Sequence, residues 1–455
     1  MNYTNIINKQ RKFFNTNQTK DLDYRIKQLK KLKKLFKDNE QLFYDAIYKD
    51  FKKSEFETYT AELSFLYDEI NTIIKRLPKW AKKKPKRTNL VNLPAKSYTI
   101  AEPLGVCLVM GAWNYPYQLS LLPMISAIGA GNTVILKPSE IPSATSKMMA
   151  SLINANFDTK YLHVIEGGIP ETTELLKEKF DKIFFTGSTS VGRIVYQAAA
   201  KHLTPVTLEL GGKSPAIITK DVNIKETAKR IIWAKFLNAG QTCIAPDYIL
   251  VEKEIENKLL KAFKEQVLAF EYAYENNNYV QIINDKNFNR LTNLIDKEKI
   301  FQGGDSDSKK RFIAPTILSD ISFEDEIMKD EIFGPILPVI SFSNLDTVIS
   351  KIKAKPKPLA LYIFTKNKQI KNKILHEVSF GGGAINDAIM HIANNNLAFG
   401  GVGESGMGSY HGEAGFQDFS HIKNILQKPF GFEPNFKYSP YTIKKLSWIK
   451  RIMGV

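Results

Sequence analysis

From Leu104 to Leu136 the chain reads LGVCLVMGAWNYPYQLSLLPMISAIGAGNTVIL, with no Asp, Glu, Lys or Arg anywhere in it. An uncharged run of this length can span a membrane. Here, however, Gly105, Gly111, Asn114, Pro116, Gln118, Pro123, Gly129, Gly131 and Asn132 interrupt it at short intervals. A buried strand, loop, helix and second strand explain both the missing charge and the breaks, so the span is rejected. Outward from this unit, short β-rich runs (Gly105–Met110, Thr133–Leu136, Tyr161–Ile165, Lys182–Phe185) alternate with helical stretches near Leu119–Ile128, Ser143–Asn154 and Thr172–Glu178. That alternation is the mark of βαβ units and a parallel sheet, which binds ligands beyond the carboxyl ends of its strands.

The second half repeats the pattern less regularly. Strands are expected near Ala216–Ile218, Tyr248–Val251, Ile336–Ile340 and Leu361–Phe364, with helices near Lys225–Leu237 and Glu254–Ala269. Two α/β domains follow. Before them, Leu22, Ile26, Leu29, Leu32, Leu35 and Phe36 keep helical spacing, and a second helix over Ala61–Leu77 is expected to stop at Pro78. A basic connector (Lys79 to Arg87, with Pro85) leads to an extended segment around Ser97–Glu102.

The chain has 455 residues, 64 Lys and Arg against 47 Asp and Glu, and a net charge of +17. Its 43% apolar content excludes a disordered or fibrous chain. The excess charge is mostly lysine scattered over helical stretches, and a solvated basic surface accounts for it better than nucleic acid does. Two cysteines make no disulfide framework, and the polar N-terminus carries no secretory signal, so a reducing, cytoplasmic setting is expected. The last fifteen residues place Ile443, Leu446, Ile449 and Ile452 at three-residue steps beside Lys444, Lys445, Lys450 and Arg451. Such a basic amphipathic tail fits a membrane surface, its own protein or a second subunit.

Metal chemistry is not expected: the six histidines form no HExxH pair and neither cysteine sits in a CxxC. Cys107 alternates inside an apolar run and reads as core. Cys243 sits instead in Asn-Ala-Gly-Gln-Thr-Cys, a loop flanked by small residues that gives a thiol access and backbone N–H donors. Glu209, in Val-Thr-Leu-Glu-Leu-Gly-Gly, is a lone carboxylate in an apolar strand. Burial would raise its pKa toward the range of a general base, and an ion-paired structural Glu is the alternative. The turn Thr186-Gly187-Ser188-Thr189-Ser190-Val191-Gly192 joins a strand to a helix and offers N–H groups to a pyrophosphate, although GSxxxG also fits an ordinary turn. Trp113-Asn114-Tyr115-Pro116 closes one strand with an amide that could donate to an oxyanion. Lys137-Pro138-Ser139-Glu140 closes the next with groups able to grip ribose hydroxyls, and Glu331-Ile332-Phe333-Gly334-Pro335 is an acid and an aromatic on a rigid turn.

Taken together, GAWNYP (111–116), ILKPSE (135–140), FFTGS (184–188), LELGGKSP (208–215), NAGQTCIAPDY (238–248), EIFGP (331–335) and FGGVGESGMGSYHG (399–412) closely resemble the aldehyde dehydrogenase superfamily, in its class 3 or fatty-aldehyde group. The resemblance implies a Rossmann-like NAD(P)-binding domain (1–82 and 101–209), a second α/β catalytic domain (210–400), bridging oligomerisation segments (83–100 and 420–440) and the basic tail (441–455). It implies Cys243 as nucleophile, held ionised, Asn114 as oxyanion donor and Glu209 as the base for thioester hydrolysis. The cofactor would be NAD, with NADP also admitted. It would be contacted by Trp113, Lys137, Glu140, Gly187, Ser188, Gly192, Glu331 and Phe333. Tyr115, Trp233, His391 and Phe399 would line a channel suited to medium or long aliphatic and aromatic aldehydes. A homodimer without nucleic acid is implied, and weak membrane-surface contact through the tail stays open. Ala398 and Gly415 depart from the family pattern in loops. The alternatives are acyl transfer to coenzyme A, which Glu209 argues against, and a peripheral anion- or membrane-binding protein using the basic tail.

Overall fold

The computed structural model describes residues 3–431 and 433–454. The charge-free stretch forms a strand (Val106–Met110), a helix (Pro116–Ala130) and a second strand (Thr133–Lys137), and every residue of all three is buried. The helix is apolar all round because the sheet covers one side of it and other helices the rest. Pro123 stands within it.

These strands lie in a six-stranded sheet. Its spatial order is 162–164, 133–137, 106–110, 182–186, 206–209, and then an antiparallel pair, 406–407, at the edge. Strands buried on both faces read as continuous apolar runs. The chain lays 133–137 on one flank of 106–110 and returns to lay 182–186 on the other. That reversal opens a crevice at the carboxyl ends, where residues 111–116 and 187–192 lie. Cys107, the second residue of the strand 106–110, is fully buried in the sheet.

A seven-stranded sheet follows, in the order 300–302, 316–318, 336–342, 248–252, 215–218, 360–364, 382–385, parallel except at its 300–302 edge. Glu209 ends a strand of the first sheet and Pro215 begins one of the second, so the five residues between them join the two. A third, largely exposed antiparallel sheet contains 84–86, 96–103 and 420–427.

Two helices differ from expectation. The second long helix runs Ser64–Trp80 and passes through Pro78. A proline this close to the end removes only one bond, and Trp80, packed 5.7 Å from the Phe416 ring, holds the last turn. The helix expected over 172–178 is Ile169–Leu175, because Pro170 sits in its first turn and the Glu171 carboxylate accepts from Gly168 N at 2.7 Å. The tail forms a helix, Ile443–Met453, that buries none of its residues. Among the described residues no helix is long and apolar enough to cross a membrane.

Candidate active site

The helix Ile224–Phe236 ends in a turn where Asn238 (φ 53°), Ala239 (φ 51°) and Gly240 (φ 71°) all take left-handed backbone. Only glycine fits at 240, since a Cβ there would lie 2.2 Å from the Gly334 carbonyl oxygen. Side-chain amides hold the strained residues. Asn238 Nδ2 donates to Asn114 O (2.8 Å) and Gln241 O (3.1 Å). Gln241 donates to Gln281 O at 3.1 Å, and its Oε1 accepts from Ile283 N at 3.0 Å. Three residues on, Cys243 lies in the wall of a cavity of about 390 Å³. Tyr115, Leu119, Trp233, Leu237, Ile389 and Phe399 contribute to its mostly apolar lining, and Asp68 and Gln118 add polar groups. His391 is not part of that lining. Its ring stacks on Phe399 at 6.2 Å and tilts against Tyr362 at 6.1 Å.

Asn114 is buried, and its Nδ2 donates to Gln241 O at 3.0 Å, which brings the amide to the nucleophile loop. Glu209 is 2% exposed, and neither of its oxygens has a hydrogen-bond partner among the described residues. Burial, with a smaller contribution from Asp418, raises its carboxyl well above the usual range. It lies near enough to Cys243 for its charge to act on the sulfur. The sulfur itself is held as a thiol rather than ionised. Burial raises it most, then Glu331 and Glu209, while the backbone N–H groups of Cys243 and Ile244 act the other way. Ionisation therefore needs a base, and Glu209 is the carboxyl within electrostatic reach that has no competing bond.

A second cavity, also about 390 Å³, includes Ser188, Gly211, Gly212, Lys213, Tyr248 and Glu331 in its lining. Glu331 presses on the backbone, so that a Cβ on Gly211 would lie 2.1 Å from its Oε2. Burial and Asp247 push its carboxyl up to about 8, against Gly212 N–H, Lys213 and Lys235. Ser188 caps the helix Thr189–Ala200. Close packing explains the glycines of this turn: a Cβ on Gly187 would meet the Phe185 ring at 2.5 Å, and one on Gly192 would meet Leu210 at 2.7 Å. Trp113 packs edge-on to Phe333 at 5.2 Å, which joins the end of one sheet to the EIFGP turn, where Phe333 has φ 49°. Lys137 is buried, donates to Pro138 O at 2.8 Å and stands 3.6 Å from the half-exposed Glu140.

Sequence reasoning missed a layer behind these residues. Glu57 Oε1 accepts from Asn238 N at 2.9 Å. Lys53 and Glu62, both fully buried, pair at 2.8 Å, and Lys53 Nζ sits 4.5 Å from the centre of the Tyr115 ring. Lys235 is fully buried, without a partner for its Nζ among the described residues, and burial pushes it down to about 8. Within a chain so rich in lysine nothing distinguishes Lys53 or Lys235. Tyr410 and His411 lie in a quoted motif, and only the fold shows that both are buried with their polar atoms unpartnered among the described residues.

The crevice suits a dinucleotide. It has a helix N-terminus behind a glycine turn, with Gly211, Gly212 and the Glu331 carboxylate in its wall. The profile of the "Aldehyde dehydrogenase family" matches residues 1–425. The chain is 46% identical over 427 residues to "Aldehyde dehydrogenase, dimeric NADP-preferring" of Mus musculus, covering 93% of this chain and 94% of that one. It is 44% identical over 444 residues to "Aldehyde dehydrogenase family 3 member A2" of Mus musculus, covering 97% and 92%. The solved structure "Substrate bound state of Staphylococcus Aureus AldH" superposes with a TM-score of 0.97 at 44% identity over 100% of both chains.

Proposed function

The chain belongs to the aldehyde dehydrogenase family, and from that premise we propose that it oxidises medium- or long-chain aliphatic and aromatic aldehydes to carboxylic acids with NAD(P), using Cys243 as nucleophile. The observation that carries this reading is the position of Cys243 on an apolar cavity, with the Asn114 amide on its loop and an unpartnered, buried Glu209 within electrostatic reach. The Cys243 thiol gives its proton to the Glu209 carboxylate as the sulfur adds to the aldehyde carbon, and Glu209 releases that proton before it serves again. The oxyanion of the resulting thiohemiacetal is held by Asn114 Nδ2 and the Cys243 N–H, and removing one such donor costs about 10²–10³ in rate. Bound NAD(P) supplies the hydride acceptor that turns this adduct into a thioester. Glu209 then takes a proton from the water that attacks the thioester, a contribution of roughly 10²–10⁴. Glu331, Phe333 and Trp113 would hold the nicotinamide half. Ser188 and the Gly187–Gly192 turn would hold the pyrophosphate, with Lys137 and Glu140 on the adenosine ribose. The cavity lining favours apolar substrates, and Tyr115, Trp233 and Phe399 shape it.

Reduced-nicotinamide formation with hexanal and benzaldehyde tests the reading. Cys243→Ala should abolish it, and activity that survives intact in that variant would overturn the assignment. Turnover that requires coenzyme A would instead favour acyl transfer. The dimeric relative supports a homodimer, measurable by light scattering. The tail helix exposes Ile443, Leu446, Trp448 and Ile452 beside four cations, which supports weak contact with anionic membrane. Flotation with acidic liposomes should be lost when residues 441–455 are deleted, and equal flotation without them would remove this part of the reading.

A further inference from the structure

We propose that Gln118, together with an acceptor stripe of Thr60, Ser64 and Asp68, selects aldehydes that carry a hydroxyl group away from the aldehyde carbon. The inference rests on the Cys243 cavity being the aldehyde site.

That cavity is mostly apolar, and two helical stretches supply polar groups to its wall. Gln118 lies in the first turn of the helix Pro116–Ala130. Its backbone N–H donates to Glu62 Oε2 at 3.3 Å. Its side-chain Nε2, by contrast, has no partner among the described residues, although the residue is only 4% exposed. Buried amides are ordinarily bonded, and a bare one is costly. A bound molecule with an acceptor atom would satisfy it. Tyr115 immediately precedes this helix, and its hydroxyl pairs with Thr242 Oγ1 at 2.7 Å, next to the nucleophile in the chain. Gln118 follows three residues later, about 4.5 Å of helix rise. The amide therefore meets the body of a substrate rather than its reacting end.

The second stretch brings Thr60, Ser64 and Asp68, four residues apart along the helical run 59–80, to the same cavity. Both hydroxyls direct their protons into the backbone: Thr60 Oγ1 donates to Phe56 O at 2.7 Å and Ser64 Oγ to Thr60 O at 3.1 Å. Asp68 Oδ2 accepts from Asn395 Nδ2 at 2.6 Å, which holds the carboxylate in place. What this stripe still offers is acceptor oxygen.

A hydroxyl both accepts and donates, so one such group answers the Gln118 N–H and the acceptor stripe together. An ether oxygen answers only the amide, an ammonium only the stripe, and a methyl group neither. A carboxylate would meet the charge of Asp68. The substrate that fits has an apolar body and one hydroxyl.

The test compares benzaldehydes bearing hydroxymethyl or ethyl, which are nearly the same shape, at position 3 or 4. Two hydrogen bonds of ordinary net strength amount to about a tenfold preference. The ratio of kcat/KM, hydroxymethyl over ethyl, should therefore fall about tenfold in Gln118→Met at the position that the wild type favours. Taking a ratio removes any general loss of activity. Methoxymethyl, which accepts but cannot donate, should be used less well than hydroxymethyl by the wild type. If Gln118→Met does not fold, Ser64→Ala should lower the same ratio about threefold. A ratio unchanged in the folded variant, or methoxymethyl used as well as hydroxymethyl, overturns the proposal. Wild-type protein that reduces NAD(P) with none of these aldehydes would overturn the reading of the cavity itself, whereas turnover of all of them without a hydroxyl preference overturns this inference alone.

Discussion

Replacing Glu62 by Gln tests how the N-terminal helices hold the wall of the active site. Glu62 Oε1 meets Lys53 Nζ at 2.8 Å with neither side chain exposed. Its Oε2 accepts from Tyr117 N (2.8 Å) and Gln118 N (3.3 Å) in the first turn of the buried helix Pro116–Ala130. Glutamine keeps an acceptor for those amides but takes away the carboxylate paired with the buried Lys53 ammonium, leaving only Glu57 within electrostatic reach. Breaking a buried pair from one side costs about 3–5 kcal/mol. The Tyr115 face beneath Lys53 softens the effect, so about 3 kcal/mol is expected. With an unfolding entropy of about 2.1 cal/mol/K per residue, a 455-residue chain should lose about 3 °C in Tm. Lys53→Met removes the cation and leaves Glu62 with its two amide donors, so its loss should be smaller. The double variant carries no unpaired charge and should recover much of the difference, giving a coupling of about 2 kcal/mol by scanning calorimetry on the four proteins. A Tm for Glu62→Gln within a degree of wild type, or strict additivity in the double variant, would refute the reasoning.

Glu209→Gln should let an acyl-enzyme accumulate, seen as a mass shift on Cys243 after a normal burst. The rise of wild-type turnover with pH, expected as the raised Glu209 carboxyl loses its proton, should disappear in the same variant. Gly240→Ala should destabilise by more than about 2 kcal/mol and impair turnover, because it adds left-handed strain to a 2.2 Å clash with the Gly334 carbonyl oxygen; a Tm equal to wild type would contradict this. Burial raises Glu69 from 4.5 to about 7 in the folded chain, so its contribution to stability is fully present below pH 4.5 and is lost as pH rises toward 7. Between pH 5 and 7.5 the wild type should therefore lose up to about 3 kcal/mol relative to Glu69→Gln, and parallel melting curves would count against it.

What the sequence made legible was what chemistry or exclusion from water forces on composition. The uncharged run 104–136 could only be buried, and it is a strand, helix and strand as read. Cys243 and Glu209 stood out because a thiol in a glycine loop and a carboxylate in an apolar strand are poor choices for structure alone. The edge pair 406–407 has two residues and no period to detect, and it exists only because Glu209's strand offers it a partner. Nothing in the sequence around Lys53, Glu57 and Glu62 sets them apart from other charged residues. Their meaning lies with Tyr115, Asn238 and Tyr117, far along the chain. His391 was assigned to the channel from its place in the motif pattern, whereas its ring packs behind Phe399.

The strain in the turn before Cys243 explains why those distant residues matter. A left-handed alanine costs roughly 1–2 kcal/mol, and Ala239 sits between two further left-handed residues. Within the loop Asn238 and Gln241 bond each other, and the remaining support comes from outside it. The turn keeps its shape because Glu57, from the N-terminal helices, accepts from Asn238 N, Asn114, from the first sheet, accepts from the Asn238 amide, and Gln281 and Ile283 bind Gln241 from the second-sheet side. Each of the three bodies thus bonds a residue within five of the sulfur. A shift of any one of them should let the turn relax and so disturb the placement of Cys243 relative to Asn114 and Glu209. The geometry that suits the sulfur for attack is therefore a property of how the sheets and helices are docked together, and loosening that docking should lower turnover before it unfolds the chain.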